Sequence, residues 1–120
     1  MLEHSQIARL LDIANAGCHR GLIQEARTIY ENVLVLKPGH SPARIGLALS
    51  HLVIDEFEKA EEILREVLAE NAVDAEARAM LGLCLTLAGK KDDAREYLDP
   101  LASEEGESAR LASSLLTSLH

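Results

Sequence analysis

The chain has 120 residues, with 12 Lys and Arg against 20 Asp and Glu, for a formal charge of −8. That balance excludes the clustered basic surface that a phosphate backbone requires; the nearest approach to one, Lys90-Lys91, is followed at once by Asp92-Asp93. Apolar residues make up 48 % and aromatics only 2 %, so a core must be assembled from Leu, Ile, Val and Ala in closely packed helices.

The length fits one domain, 1–120. Cys18 and Cys84 are too few and too far apart in sequence for a disulfide framework, and read as reduced thiols in a cytoplasmic setting. The start, Met1-Leu2-Glu3-His4, has neither the basic region nor the apolar core of a leader. The longest nearly apolar run, 45–54, falls well short of the roughly 20 residues that span a bilayer, so no membrane insertion is expected.

In chain order, apolar residues at spacings of 3, 4 and 7 predict seven helices. The first, over 5–19, carries Ile7 and Ala14; Gly21 supplies the turn after it. The second, 23–36, carries Ala26, Tyr30 and Val33, and Pro38 stops it. Ser41-Pro42 reads as an N-cap and first helical residue opening a third helix, 41–53. Asp55 takes the next turn. The fourth helix, 57–70, sets Ala60, Leu64, Val67 and Leu68 on one side and Glu58, Lys59, Glu61, Glu62, Arg65 and Glu66 on the other. A fifth helix, 75–88, ends near Gly89. A sixth, 91–102, contains Pro100, which is expected to bend it or end it early. A seventh, 107–119, places Ala109, Ala112, Leu116 and Leu119 on one face.

Two series of small residues share one interval. Ala26, Ala60 and Ala94 are 34 residues apart, and so are Ala14, Ala48 and Gly82. A turn residue repeats in the same register at Gly21, Asp55 and Gly89. This is an internal repeat of helical hairpins, with units at 7–40, 41–74 and 75–106 and a capping helix at 107–119.

Gly21, Ala26, Tyr30 and Pro38 in the first unit, and Gly82, Gly89 and Ala94 in the third, resemble the signature of the tetratricopeptide repeat (TPR) family; the middle unit keeps Ala48 and Ala60 but has Asp55 at its turn. The resemblance covers 7–106 and implies an all-α, three-repeat hairpin solenoid. It also implies a groove lined by the first helix of each repeat, through Leu11, Asn15, Cys18 and His19, then Ile45, Leu49, Leu52 and Val53, then Ala79, Leu83, Thr86 and Leu87. Of these, Leu11, Asn15, Ile45, Leu49, Leu52, Val53, Leu83, Thr86 and Leu87 are the expected partner-binding set. Such an apolar lining suits an amphipathic helix or an apolar segment of a protein partner. The alternative is a scaffold or regulatory protein that homo-oligomerises, as a homo-dimer for example, through the same face.

Cochaperone TPR domains that capture acidic chaperone tails use a clamp of Lys, Asn and Arg. Here Leu11, Gly46, Glu76 and Met80 occupy those places and only Asn15 matches, so a carboxylate would be desolvated without a cation. The stretches Ala16-Gly17-Cys18-His19 to Glu25-Ala26 and Leu81-Gly82-Leu83-Cys84-Leu85 resemble instead the small TPR chaperones of bacterial type III secretion systems. That resemblance implies a groove holding a needle or translocator subunit, with a hetero-complex as its working form.

Nothing in the sequence points to an enzyme, a cofactor or a metal. His4, His19, His40, His51 and His120 are scattered, and neighbouring Cys18 and His19 diverge by about 100° on a helix. His51 reads as a satisfied inter-helix histidine, Cys84 as a small buried hydrophobe and Cys18 as the more exposed thiol.

Overall fold

The computed structural model describes residues 3–119; Met1, Leu2 and His120 of the expected domain lie outside them. The seven helices are α1 (His4–His19), α2 (Ile23–Leu36), α3 (Ser41–Leu52), α4 (Phe57–Glu70), α5 (Ala75–Leu87), α6 (Lys91–Ala102) and α7 (Glu107–Ser118). Each lies within one residue of its predicted bounds.

The three turns inside hairpins share one backbone device. Gly21 has φ +82°, Asp55 φ +64° and Gly89 φ +84°. The left-handed region ends a helix without breaking direction abruptly, and glycine enters it without steric cost. Asp55 takes the same conformation with a Cβ in place.

Two local expectations change. Ser41 is the first helical residue and not the cap, which is His40; Pro42 therefore sits at the second position, where no intrahelical donor is needed. Pro100 does not end α6 early, because it stands in the last turn, on the exposed side. Its carbonyl accepts from Ser103 N at 3.3 Å and Ser103 Oγ at 2.8 Å, which closes the helix two residues later.

The helices form two layers. Each even helix packs between the two odd helices that flank it in sequence. The odd helices also pack on one another, α1 on α3, α3 on α5 and α5 on α7, whereas among the described residues no even helix approaches another. A stack that is tight on one layer and splayed on the other curves toward the tight layer. The inner wall is therefore made by α1, α3, α5 and α7. The body is elongated, 45 × 27 × 22 Å.

Close approach is what the small residues permit. Ala26, Ala60 and Ala94 are all essentially buried, as are Ala14 and Ala48. At Gly82 an added Cβ would lie 2.3 Å from Leu98 Cδ2. Gly46 is tighter still: an added Cβ would lie 2.2 Å from Tyr30 Cε1. Tyr30 is fully buried, and its hydroxyl donates to Asn15 Oδ1 and lies 3.5 Å from Cys18 Sγ. Cys18 is thus not the exposed thiol expected, since the Tyr30 ring and helix α2 cover it to 2 % exposure. Cys84 is fully buried as expected, and burial pushes its thiol pKa up.

Ion pairs recur in register both within repeats and between them. Arg44 meets Glu70, and Arg78 meets Glu104 at 2.7 Å, 34 residues further on. Between successive repeats, Arg27 meets Glu56 at 3.1 Å and Glu61 meets Lys90 at 3.2 Å, the same two positions with the charges exchanged.

Gly46→Ala should destabilise the fold by about 1–3 kcal/mol through overpacking against Tyr30, despite the ~1 kcal/mol that alanine gains in helix propensity. Denaturant unfolding monitored by circular dichroism measures it; an unchanged midpoint would contradict the packing described. Asp55→Gly should move the other way, raising stability by up to about 1 kcal/mol by relieving the left-handed strain.

Candidate partner-binding surface

The inner wall contains the expected groove residues, but not all of them reach its surface. Leu11, Ile45 and Leu52 are 6 %, 2 % and 5 % exposed. They belong to the core clusters, covered where α1 packs on α3 and α3 on α5. They support the wall and do not line it. Asn15 is half-buried and its side chain is committed to the Tyr30 hydroxyl. Thr86 is half-buried and its hydroxyl bonds back to the Gly82 carbonyl at 2.7 Å.

Four of the expected residues remain open, and they come in pairs one repeat apart. Leu49 and Leu83 are half-buried, while Val53 and Leu87 are 37 % and 51 % exposed. Their counterparts in the first repeat are polar, Asn15 and His19. The apolar wall therefore runs along α3 and α5.

It continues past Ala79, an expected groove residue, onto Met80 and Leu111, which were not expected to line it. Between α5 and α7 lies a recess of about 540 Å³, walled by Ala79, Met80 and Leu111 and edged by Glu76, Ser108 and Glu107. Burial, together with like charge from Asp74 and Glu107, pushes the Glu76 carboxyl above its ordinary value. Leu111 could have been found from the sequence only by recognising α7 as the next inner-layer helix, not merely as a cover.

A larger recess of about 740 Å³ lies at the α3–α4 turn, lined by His51, Asp55, Glu56, Phe57, Glu58, Lys59 and Glu62. It adjoins a network of Arg27, Ser50, His51 and Glu56. Arg27 Nε donates to Ser50 Oγ at 2.9 Å and Nη2 to Glu56 Oε1 at 3.1 Å; His51 Nδ1 lies 2.7 Å from the same carboxylate oxygen. Serine, histidine and carboxylate are all present, yet the geometry is not that of a nucleophile and its base. Ser50 Oγ, fully buried, donates to the Leu47 carbonyl at 2.6 Å, and the histidine contacts the acid, not the hydroxyl. The network joins the first repeat to the second, as expected of a satisfied His51; Arg27, its centre, was not anticipated. Hydrogen bonds from His51 and Arg27 hold the Glu56 carboxyl below its ordinary value. Among the described residues no three His, Cys, Asp or Glu side chains are grouped so as to hold a metal, and no helix is long and apolar enough to cross a membrane.

Comparison with known proteins places this geometry. A family model described as tetratricopeptide repeat matches residues 19–82 and 56–119. No curated protein sequence matches. Among solved structures, the type III secretion translocator chaperone SycD of Yersinia enterocolitica, in an alternative dimer form, is similar with a TM-score of 0.77 and 18 % identity over 98 % of this chain and 93 % of that one. A second structure of SycD gives a TM-score of 0.75 at 16 % identity, over 99 % and 84 %. A MamA RS-1 double mutant gives 0.59 at 23 % identity, over 98 % and 75 %. At these identities the likeness is one of fold.

The Glu56 network carries a pH dependence. A carboxyl whose folded pKa lies below its ordinary 4.5 stabilises the fold above that value, and the contribution is lost as pH falls through the folded pKa. Glu56→Gln should therefore be less stable than wild type at neutral pH. The difference should shrink below the carboxylate range, as urea unfolding at the two pH values would show.

Proposed function

Because the chain belongs to the tetratricopeptide repeat family, we propose that it is a protein-binding module, with repeats at 7–40, 41–74 and 75–106 and the helix at 107–119 closing the stack. Its partner is an amphipathic helix or apolar segment received on the inner wall of α3, α5 and α7. The observation that carries this reading is the line of open apolar side chains in repeat register, Leu49 with Leu83 and Val53 with Leu87, extended by Met80 and Leu111. Leu49, Leu83 and Met80 are only partly covered by the core, and Val53, Leu87 and Leu111 are exposed. Together they leave one apolar surface whose burial gains about 25 cal/mol per Å². The wall offers no clamp of cations, so an acidic tail is not the cargo.

The likeness of fold to a type III translocator chaperone supports a narrower form of the proposal. The protein holds an aggregation-prone needle or translocator subunit of such a system in the cytoplasm by its amphipathic helix. Binding, not chemistry, is the task assigned to this surface.

Leu87→Asp and Val53→Asp test the groove directly, because both residues are exposed and their loss should leave the thermal unfolding midpoint close to wild type. Each should weaken binding of a helical peptide from a needle or translocator subunit of the same genome at least about tenfold, as expected for a charge placed in a desolvated apolar contact. Isothermal titration with and without the substitutions is the measurement. Unchanged affinity in both variants would remove the groove from the mechanism.

A further inference from the structure

The recess between α5 and α7 brings two chemistries together. Its walls are apolar, from Ala79, Met80 and Leu111, while Glu76, Glu107 and Ser108 stand at its edge. At about 540 Å³ it has the size of cavities that hold small ligands. Both glutamates keep contact with solvent, so the charges lie at the mouth and the apolar surface lies behind them.

Helix formation explains only part of this arrangement. Glu76 and Glu107 each stand in the first turn of a helix, where a carboxylate meets the positive end of the dipole. The α5 terminus is already capped, however, by Asp74, whose Oδ1 accepts from Ala77 N at 3.0 Å. In the first two repeats the place of Glu76 is taken by Ala8 and Pro42, so the fold does not require an acid there. Nor is the charge answered from within. Arg78, the one cation of α5, is committed to Glu104, whose two carboxylate oxygens it meets at 2.8 and 2.7 Å. Withdrawal from water, then like charge from Asp74 and Glu107, hold the Glu76 carboxyl above its ordinary value, with no cation to offset them.

We propose that this recess is the subsite for a lysine or arginine of the bound segment, so that the partner helix carries a basic side chain beside its apolar stripe. The proposal rests on the groove reading above, since the recess shares Met80 and Leu111 with the inner wall. The occupant follows from complementarity. An apolar side chain seated there would strip water from two carboxylates and leave them uncompensated. An acidic one would add a third like charge. A basic side chain suits both surfaces: its methylene stem lies along Met80 and Leu111 while its charged head stays at the mouth, between carboxylates of opposite sign. The net charge of −8 draws such a segment in from a distance. A divalent cation fits less well, because no three ligating side chains are grouped among the described residues and apolar walls cannot replace the water it would give up.

Titration of the full chain with n-hexylammonium, and with n-hexanol as its uncharged match, tests the subsite. The readout is the NMR signals of the Met80 and Leu111 methyls at low ionic strength, where screening is weakest. The amine should shift these methyls, and the alcohol at equal concentration should shift them far less. Glu76→Gln and Glu107→Gln, both at exposed positions, should leave the circular dichroism melt unchanged. Each should weaken the amine at least about threefold, as for an ion pair at a water-accessible mouth. Equal response to the two probes, or amine binding indifferent to both substitutions, overturns the proposal. A second titration, with the helical peptide from a needle or translocator subunit, separates it from the groove reading. Peptide affinity should fall at least about threefold in the double glutamine variant, and Leu87→Asp should weaken the peptide while leaving the amine unaffected. Affinity lost in Leu87→Asp but untouched by the double variant overturns the subsite and keeps the groove; the reverse pattern removes the groove and keeps the subsite.

Discussion

Helices can lie against each other only as closely as the bulkiest side chain between them permits, and this fold depends on keeping that side chain small at fixed intervals. Gly46 against Tyr30 and Gly82 against Leu98 are the extreme cases, where a single added carbon would overlap its neighbour. The buried alanines at 26, 60 and 94 do the same with less severity. Once those approaches are fixed, the inner layer is drawn together and the outer layer splays. Curvature, and with it an inner wall that a ligand can enter, follows from side-chain volume before any functional residue is considered.

The same spacing explains why so much of the architecture was legible. A 34-residue interval in small residues is set by backbone geometry, and backbone geometry constrains sequence tightly. Helix bounds fell within a residue because turns at Gly21, Asp55 and Gly89 demand one conformation that few residues adopt. The departures were local. Ser41 moved inside its helix and Pro100 was accommodated, since a terminal turn tolerates what an interior turn does not.

The binding surface was less legible, for a physical reason. Family geometry says which helix faces the groove, but an apolar residue on that face can either line the wall or brace it. Leu49 and Leu52 are indistinguishable by type, yet one is half-buried and the other buried. What separates them is the tertiary cluster each meets, since Leu52 is sealed within the core of the second and third repeats and Leu49 only flanks that of the first, and no local pattern encodes that. Arg27 escaped notice similarly: it lies on a half-buried face of α2, and only its partners on α3 and the following turn give it a role. Cys18 was misplaced because Tyr30, twelve residues away, roofs it.

The exchanged charges at the two repeat junctions bear on how the molecule can evolve. Arg27 answers Glu56, and Glu61 answers Lys90. Loss of the middle unit by recombination would leave a chain whose remaining hairpins are of proper length and shape, but it would press a guanidinium against an ammonium at the new seam. Duplication of that unit would oppose Glu61 to a second glutamate. Identical seams would let modules be shuffled freely; unlike seams act as keyed couplings, and they hold the number and order of modules fixed.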